Sequence, residues 1–199
     1  MEVGEFMIKH LGTIELETER LLLRKCIESD YHDSYKYCCS DRELCRLQGF
    51  DVHKNDNVTR KSFIEKVEQY KVDPSFYEWA IINKETNTFM GEIALVHYDE
   101  KNNSFETGYH LGKIFRGNGY MQEALAAVIE FAFEKLNINS FYALILKDNI
   151  SSQKCVTHIG LTYSNTIDDY KDDVYEGPID KYEITKEQYY QKKNFNLRR

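Results

Sequence analysis

Residues 115–124, with the sequence FRGNGYMQEA, decide the fold of this chain. Two glycines, Gly117 and Gly119, stand two apart beside Arg116, just before a helical pattern of apolar residues. Glycine allows a backbone turn with positive φ and the close approach of a ligand to the main chain. A helix that begins there points unpaired N–H groups and the positive end of its dipole at that ligand. The stretch therefore predicts an anion site, with phosphate as the favoured ligand.

Two familiar phosphate loops do not fit this stretch. It lacks the Gly-Lys-Ser/Thr ending of a Walker A loop, and it lacks a third glycine at Rossmann spacing. The flanking patterns predict a different order of elements. A strand with an internal glycine (104–111) precedes the turn, and a long helix (121–136) and a buried strand (141–146) follow it. Asn149 then begins a second helix, which Gly160 ends.

The rest of the chain predicts helices and strand pairs around this centre. We expect irregular structure at 40–55 and a polar tail of one or two helical turns at 186–199. The other predicted elements are a strand at 21–26, a helix from Asp30 to Cys39, a helix from Asp56 or Asn57 to Tyr70, hairpins across 84–88 and 99–103, and a strand pair at 161–167 and 180–185.

These motifs, in this order, resemble those of the GNAT-superfamily N-acetyltransferases. Residues 116–120 match the family signature Arg/Gln-x-x-Gly-x-Gly/Ala up to its last position, and the pair Glu123 and Ala124 follows. Gly108-Tyr109 resembles the Gly-Tyr of the family's fourth strand. Asn149, Ser152 and Gly160 match the later Asn-x-x-Ser with its glycine, and residues 19–24 resemble the ribosomal-protein N-terminal (alanine) acetyltransferase branch.

The resemblance covers residues 13–185 and implies a mixed α/β (α+β) fold. That fold is a mostly antiparallel, twisted sheet of 6–7 strands flanked by about four helices, and it splays between the family's strands four and five. A length of 199 residues agrees with one domain. We therefore expect a single acetyltransferase domain at 1–199, with its core at 13–185 and a polar tail at 186–199.

Three positions depart from the family pattern. Met121 stands where Gly or Ala is usual, so its side chain must turn away from any phosphate on the loop. Val156 lies near the place of a tyrosine that many members use as general acid. Leu161 replaces an aromatic residue, which is a packing change.

Composition excludes several other classes. The net charge of −7 argues against broad nucleic-acid binding, and no apolar run is long enough for a membrane span. The acidic N-terminus lacks a signal-peptide pattern, and an odd count of five cysteines fits a reducing compartment. We expect a cytoplasmic monomer or homodimer that uses no metal.

Acetyl transfer to an amine needs a placed cofactor, an oxyanion donor and proton removal from the amine. The resemblance implies acetyl-CoA as the cosubstrate, with its pyrophosphate on the glycine loop and its pantetheine arm against the exposed fourth strand and Asn149. The implied cofactor-binding residues are His110, Leu111, Arg116, Gly117, Asn118, Gly119, Tyr120, Met121, Asn149 and Ser152.

Glu106 is the first candidate for the general base, acting through a water from the face of its strand opposite Phe105 and Thr107. Glu92, set among apolar residues, is the second, because a half-buried carboxylate tends to have a raised pKa. His110 is a third candidate. The candidates for the general acid are Ser152, Cys155, His158 and Tyr163.

The acceptor predicted first is the N-terminal α-amine of a protein or peptide. Its pKa of about 7.7–8.0 leaves it partly neutral, so that a weak base suffices. The acidic, aromatic segment 168–176 instead favours a small cationic amine such as a polyamine or an aminoglycoside. A non-catalytic acyl-CoA-binding module and an unrelated nucleotide-binding α/β domain are the alternatives from other classes.

Overall fold

The protein is described by a computed structural model, which covers residues 8–172 and 174–196. Within these residues eight strands form one sheet, in the order β1-β2-β3-β4-β5-β6-β8-β7. The strands are β1 (Leu16–Glu17), β2 (Leu21–Arg24), β3 (Tyr77–Asn83), β4 (Thr88–Asp99), β5 (Ser104–Leu111), β6 (Ser140–Leu146), β7 (Thr162–Lys171) and β8 (Glu176–Thr185).

Six α-helices are present in the described ranges, two more than expected. They are α1 (Tyr31–Ser34), α2 (Arg42–Gln48), α3 (Asp56–Val72), α4 (Tyr120–Glu134), α5 (Ile150–Ile159) and α6 (Lys186–Asn196). Short 3₁₀ turns lie at Glu28–Asp30 and Lys113–Phe115, and a π-helical turn at Tyr35–Cys39 continues α1.

The sheet is antiparallel at every pairing except that of β5 with β6. This parallel pairing covers only Ser104–Glu106 against Ser140–Tyr142. Beyond it the two strands separate, so residues 107–111 pair with β4 alone and residues 143–146 with β8 alone. The predicted mixed fold and splay are confirmed, and the sheet has slightly more strands than the predicted six or seven.

Side-chain alternation along β3 divides the core between the two faces of the sheet. Trp79 and Ile81 are fully buried in a large cluster with the apolar side of α4, including Leu125. Ala80 and Ile82 face the other way, into a smaller cluster with residues of the first three helices. Helices therefore cover both faces, and the β5–β6 gap lies between them.

Several local predictions were wrong. The segment 40–55 contains α2, because the Asp41 carboxylate accepts hydrogen bonds from the backbone N–H groups of Glu43 (3.0 Å) and Leu44 (3.1 Å). Asn55 caps α3 instead of Asp56 or Asn57. Asp30 does not cap α1, since its carboxylate pairs with Arg24 and the backbone N–H of Ile27.

The last hairpin and the tail are more regular than expected. Residues 168–171, predicted as part of an acidic loop, continue β7, which pairs with β8 as far as Lys171 and Glu176. The connection between these strands is only residues 172–175, of which residue 173 lies outside the described residues. The tail forms the three-turn helix α6, whose Lys193 pairs with Glu130 at 3.1 Å on α4.

Candidate active site

The glycine loop leads into α4 with the geometry of an anion site. Gly117 and Gly119 have φ of +81° and +79°, a region that glycine adopts without strain and most other residues avoid. Gly119 is the N-cap of α4, and the first backbone N–H to close a helical turn is that of Glu123, to the Gly119 carbonyl at 3.1 Å. The N–H groups before it lie at the positive end of the helix dipole. Arg116 adds a cation beside them.

Arg116 also ties the loop to the end of β5. Its Nε donates to the Leu111 carbonyl at 2.9 Å, so the guanidinium is held where the strand stops. The predicted cofactor residues Leu111 and Arg116 are therefore brought together directly.

Glu123, in the first turn of α4, anchors this helix to the β1–β2 turn. Its carboxylate accepts from the Thr18 hydroxyl (2.5 Å) and from the Arg20 backbone and Nε (2.8 and 2.7 Å). Burial alone would raise the pKa of Glu123, but these hydrogen bonds outweigh it and lower the pKa. The Arg20 guanidinium also lies 4.6 Å from the ring centre of Tyr120. The signature glutamate thus fixes the start of the helix.

A cavity of about 360 Å³ opens beside the loop. Its walls come from the end of β5, the glycine loop, the first turn of α4, the start of α5 and helix α2. It is lined by Leu44, Leu47, Gln48, Tyr109, His110, Leu111, Phe115, Arg116, Gly117, Gly119, Tyr120, Met121, Gln122, Asn149, Ser151, Ser152, Lys154 and Cys155. Of the ten predicted cofactor residues, nine line this cavity, and Asn118 does not.

Met121 is compatible with this cavity. Its side chain is buried in the main core cluster, which agrees with the expectation that it turns away from a phosphate on the loop. Asn118, in turn, uses its carbonyl to accept from Arg20 at 3.0 Å.

A second, smaller cavity of about 100 Å³ lies across the β5–β6 gap. Glu106 and Gly108 line it from β5, residues 143–146 from β6, and Tyr170, Asp172 and Tyr175 from the last hairpin. Five residues line both cavities: Leu47, Gln48, Tyr109, Asn149 and Ser152. The two cavities therefore meet at the point where the sheet splays.

Asn149 and Tyr109 order this junction. The Asn149 side chain is buried and accepts from the Ser152 backbone N–H at 3.2 Å, which confirms it as the cap of α5. The Tyr109 hydroxyl donates to the Ser152 carbonyl at 3.5 Å, and burial raises the pKa of this phenol. Tyr109 therefore stays protonated, with its hydroxyl over the start of α5.

Glu106 faces the smaller cavity. Its side chain is 14% exposed and lies 3.1 Å from Nδ1 of His97. Burial raises the pKa of Glu106, and the contact with His97 opposes that rise only in part. A carboxylate with a raised pKa beside a cavity can accept a proton near neutral pH.

Glu92 has different surroundings from those expected. It is 5% exposed rather than half-buried, and it lines neither of these two cavities. Nζ of Lys66 lies 2.6 Å from Glu92 and 2.6 Å from Glu78, and the Cys26 thiol donates to Glu92 at 3.4 Å. The carboxylate is thus held in a buried ion cluster on the α3 side of the sheet.

The His110 side chain belongs to the same cluster. Its Nε2 lies 3.4 Å from Glu92 without hydrogen-bond geometry. Burial and then the nearby charge of Lys66 lower the pKa of His110 to about 4, so the ring is neutral at pH 7. A neutral imidazole enclosed beside a buried ion pair agrees with a structural role for this side chain, and the roles of His110 in catalysis and cofactor binding stay predictions.

The four candidates for the general acid differ in whether they line the two cavities. Ser152 lines both cavities, and Cys155 lines the larger one, where burial raises the pKa of its thiol to about 11. His158 and Tyr163 line neither cavity, and Tyr163 is 55% exposed on β7.

Sequence reasoning missed three contributors to the site. Helix α2 closes both cavities with Leu47 and Gln48, and Asp41 and Gly49 at its ends were the available signals. Tyr109 was noticed only as part of a motif. His97 gave no signal, because its contact with Glu106 depends on an irregularity in β4.

Two negative observations concern the described part of the chain only. No group of three or more His, Cys, Asp or Glu side chains there could hold a metal ion, and the expectation of a metal-free enzyme stays a prediction. No helix in those ranges is long and apolar enough to cross a membrane.

Comparison with known proteins decides the family. A family model described as an acetyltransferase (GNAT) domain matches residues 20–162. The chain belongs to the GNAT acetyltransferases. The expected enzyme class, an N-acetyltransferase, is thereby confirmed, while the roles of individual site residues stay predictions.

Relatives and solved structures agree with this membership. The N-acetyltransferase p20 of Bacillus licheniformis, itself uncharacterized, is 28% identical over 156 residues, covering 78% of this chain and 86% of the relative. The ribosomal-protein-S5-alanine acetyltransferase of Vibrio fischeri has a TM-score of 0.73 at 16% identity, covering 88% of this chain and 98% of that one. RimL, a ribosomal L7/L12 α-N-protein acetyltransferase solved with coenzyme A, has a TM-score of 0.72 at 17% identity, covering 86% and 98%. At these identities the two structures establish the fold.

Proposed function

We propose that this GNAT enzyme transfers an acetyl group from acetyl-CoA to a primary amine, which attacks the thioester directly. The observation that carries the proposal is the meeting of two cavities at Tyr109, Asn149 and Ser152, through the β5–β6 gap. One cavity has an anion site at its rim, and the other has a carboxylate with a raised pKa on its wall. Two reactants that enter from opposite sides would meet in the gap.

The donors that line the larger cavity suit acetyl-CoA. The N–H groups at the start of α4 and Arg116 suit the pyrophosphate, and the unpaired edge of β5 at 107–111 suits the amides of pantetheine. When bound, acetyl-CoA supplies an activated acyl group on a thiol. Hydrogen bonds to a charged partner contribute roughly 1.5–3 kcal/mol each, so three or four would supply much of the affinity.

Glu106 is proposed as the general base. Ionised, it accepts the proton of the acceptor amine, through a water, from its place on the wall of the smaller cavity. Glu92 is the weaker candidate, because its carboxylate is already bound by Lys66 and lies outside both cavities.

For the acceptor we favour the N-terminal α-amine of a peptide or protein. The cavity of about 100 Å³ has room for a small terminal residue, and a single carboxylate base is adequate for an amine of pKa about 8. Both solved neighbours described above are named for acetylation of ribosomal proteins, which supports the same choice.

A small cationic amine is the second candidate. Asp172 and Glu106 place two carboxylates on the smaller cavity, and Tyr170 and Tyr175 add aromatic walls, a combination that attracts a cation. Arg46 lines the same cavity but is paired with Asp148 at 2.9 Å.

Mass spectrometry of the products separates these candidates. The protein is incubated with acetyl-CoA and, in turn, peptides with free or blocked N-termini, spermidine and an aminoglycoside. A gain of one acetyl group on free N-termini alone supports the first candidate, and a gain on the small amines alone supports the second. Binding of acetyl-CoA without turnover on any amine would contradict the enzyme assignment and favour a binding module.

Glu106→Gln is the variant that tests the base. Because the amide cannot accept the proton, we expect kcat to fall by roughly 10²- to 10⁴-fold with little change in the affinity for acetyl-CoA. Glu85→Gln, in an exposed hairpin turn, is the matched control and should retain full activity. Full activity of Glu106→Gln would eliminate Glu106 as the base.

A further inference from the structure

An irregularity in β4 brings a second side chain to the candidate base. Val96 pairs with Glu106 and Asp99 with Ser104, so two residues of β4, His97 and Tyr98, stand opposite one residue of β5. This is a β-bulge, a feature that re-aims side chains near active sites. At the bulge His97 has a φ of +49°, in the left-handed region.

We propose that His97 is a positioning residue for Glu106, which holds its carboxylate towards the smaller cavity. This inference rests on the proposed role of Glu106 as the base. Nδ1 of His97 lies 3.1 Å from Oε2 of Glu106. An ionised carboxylate only accepts hydrogen bonds, so the imidazole N–H is the donor.

Burial differs sharply between the two partners. The His97 side chain is 72% exposed, whereas that of Glu106 is 14% exposed. The imidazole therefore lies on the solvent side of the carboxylate, and His97 does not line the smaller cavity. With Oε2 of Glu106 engaged there, no described residue forms a hydrogen bond to Oε1, which can serve the acceptor amine or its water.

Other charged and titratable groups surround Glu106, and His97 acts against this background. Asp172 raises the pKa of Glu106, Lys181 lowers it, and Tyr142 and Tyr170 also lie close enough to interact with its charge. Burial is the largest influence and raises the pKa, while the hydrogen bond and charge of His97 are the strongest opposing influences. Among the described residues, these groups are His97 of β4, Tyr142 of β6, Tyr170 of β7, Asp172 of the β7–β8 connection and Lys181 of β8. Arg46 of α2 and Tyr175 line the same cavity as Glu106.

Two variants of His97 distinguish loss of the hydrogen-bond donor from disruption of the bulge. Asn and Gly both accept a φ of +49°, so neither His97→Asn nor His97→Gly strains the bulge. The Asn side chain can place an N–H near the position of Nδ1, whereas Gly removes the donor. A loss caused only by backbone strain would therefore be absent from both variants.

The experiment combines two readouts. Carbon-13 NMR of the glutamate carboxyl groups follows the titration of Glu106, assigned with Glu106→Gln, whether or not the protein turns over. In parallel, kcat/KM is measured against pH. Below the pKa of the amine, the plot of log kcat/KM against pH should have a slope of two where Glu106 is protonated and a slope of one where it is ionised. The pH at which the slope changes reports the pKa of Glu106.

We expect His97→Gly to move both the NMR titration and the break to higher pH, because the group that lowers the pKa of Glu106 is removed. At neutral pH it should lose activity, by up to roughly 100-fold if the carboxylate shifts by about 1 Å. His97→Asn should retain most of the activity and should move the NMR titration and the break to higher pH by less than His97→Gly does. An unchanged titration in His97→Gly would overturn the inference. A shifted titration with an unchanged break in the rate profile would instead contradict the proposed role of Glu106.

Discussion

Glu92 and Glu106 look alike in the sequence, each a glutamate within an apolar strand pattern, but their partners differ. Lys66 forms an ion pair with Glu92, so a cation already balances the charge of that carboxylate in the folded protein. Glu106 has an exposed histidine on one side and a cavity on the other. Strand alternation predicted which face each side chain takes, but it could not predict the cation that α3 brings from another part of the chain.

Lys66→Met tests the buried cluster at the residue scale. Removing the cation leaves Glu78 and Glu92 buried without compensation, and we expect the free energy of unfolding to fall by roughly 3–5 kcal/mol in urea titrations near pH 7. Lys71→Met, which breaks an exposed pair on the same helix, should change it by less than about 0.5 kcal/mol.

The loss of stability in Lys66→Met should depend on pH, and the direction of this dependence follows from the pKa of Glu78. Burial, first of all, raises the pKa of Glu78, and removal of Lys66 raises it further. The folded variant then takes up protons as the pH falls, so the deficit should be smaller at about pH 5 than at about pH 7. In the parent protein Lys66 stays charged at both pH values. Burial alone would lower the pKa of Lys66, but the charges of Glu92 and Glu78 outweigh it and raise the pKa. A deficit that grows on acidification would contradict the assignment of an ion cluster.

Among the elements, α2 is the one that sequence patterns predicted least well, although its residues line both cavities. Its seven residues carry few apolar positions, so no helical period stands out, although Asp41 and Gly49 supply a start and a stop. The length of the β7–β8 hairpin was underestimated for a related reason. Its outer strand is mostly exposed, and backbone pairing with β8 holds it without an apolar alternation.

Asp41→Ala tests α2 as an element of the site. Loss of the N-cap should lower stability by about 1 kcal/mol and, because Leu47 and Gln48 line both cavities, raise the KM for acetyl-CoA. Asn55→Ala removes the N-cap of α3, which lines neither cavity, and should give a similar loss of stability with an unchanged KM. Equal KM values for the two variants would show that α2 does not shape the cofactor site.

At the scale of the whole molecule, the order of elements and the splayed sheet could be predicted because several motifs at fixed spacings point to one arrangement. Positive φ at Gly117 and Gly119 and the Asn149 cap follow from residue chemistry alone. The junction of the cavities could not be predicted in this way. It depends on how far β5 and β6 pair before they part, and no single motif of the sequence specifies that length.

We propose that acetyl-CoA binds on the glycine loop and reaches the gap from that side. Calorimetric titration of the protein and of Gly119→Asp with acetyl-CoA tests it most directly. A carboxylate at the N-cap of α4 would occupy the anion site and repel the pyrophosphate. Gly12→Asp, at another glycine with positive φ (+68°) that lines neither cavity, controls for strain and charge.

We expect the parent protein and Gly12→Asp to bind acetyl-CoA alike and Gly119→Asp to bind at least about 100-fold more weakly, the loss of one or two hydrogen bonds to a charged group. Equal binding by all three proteins would place the cofactor elsewhere, and no binding by the folded parent would contradict the proposed function.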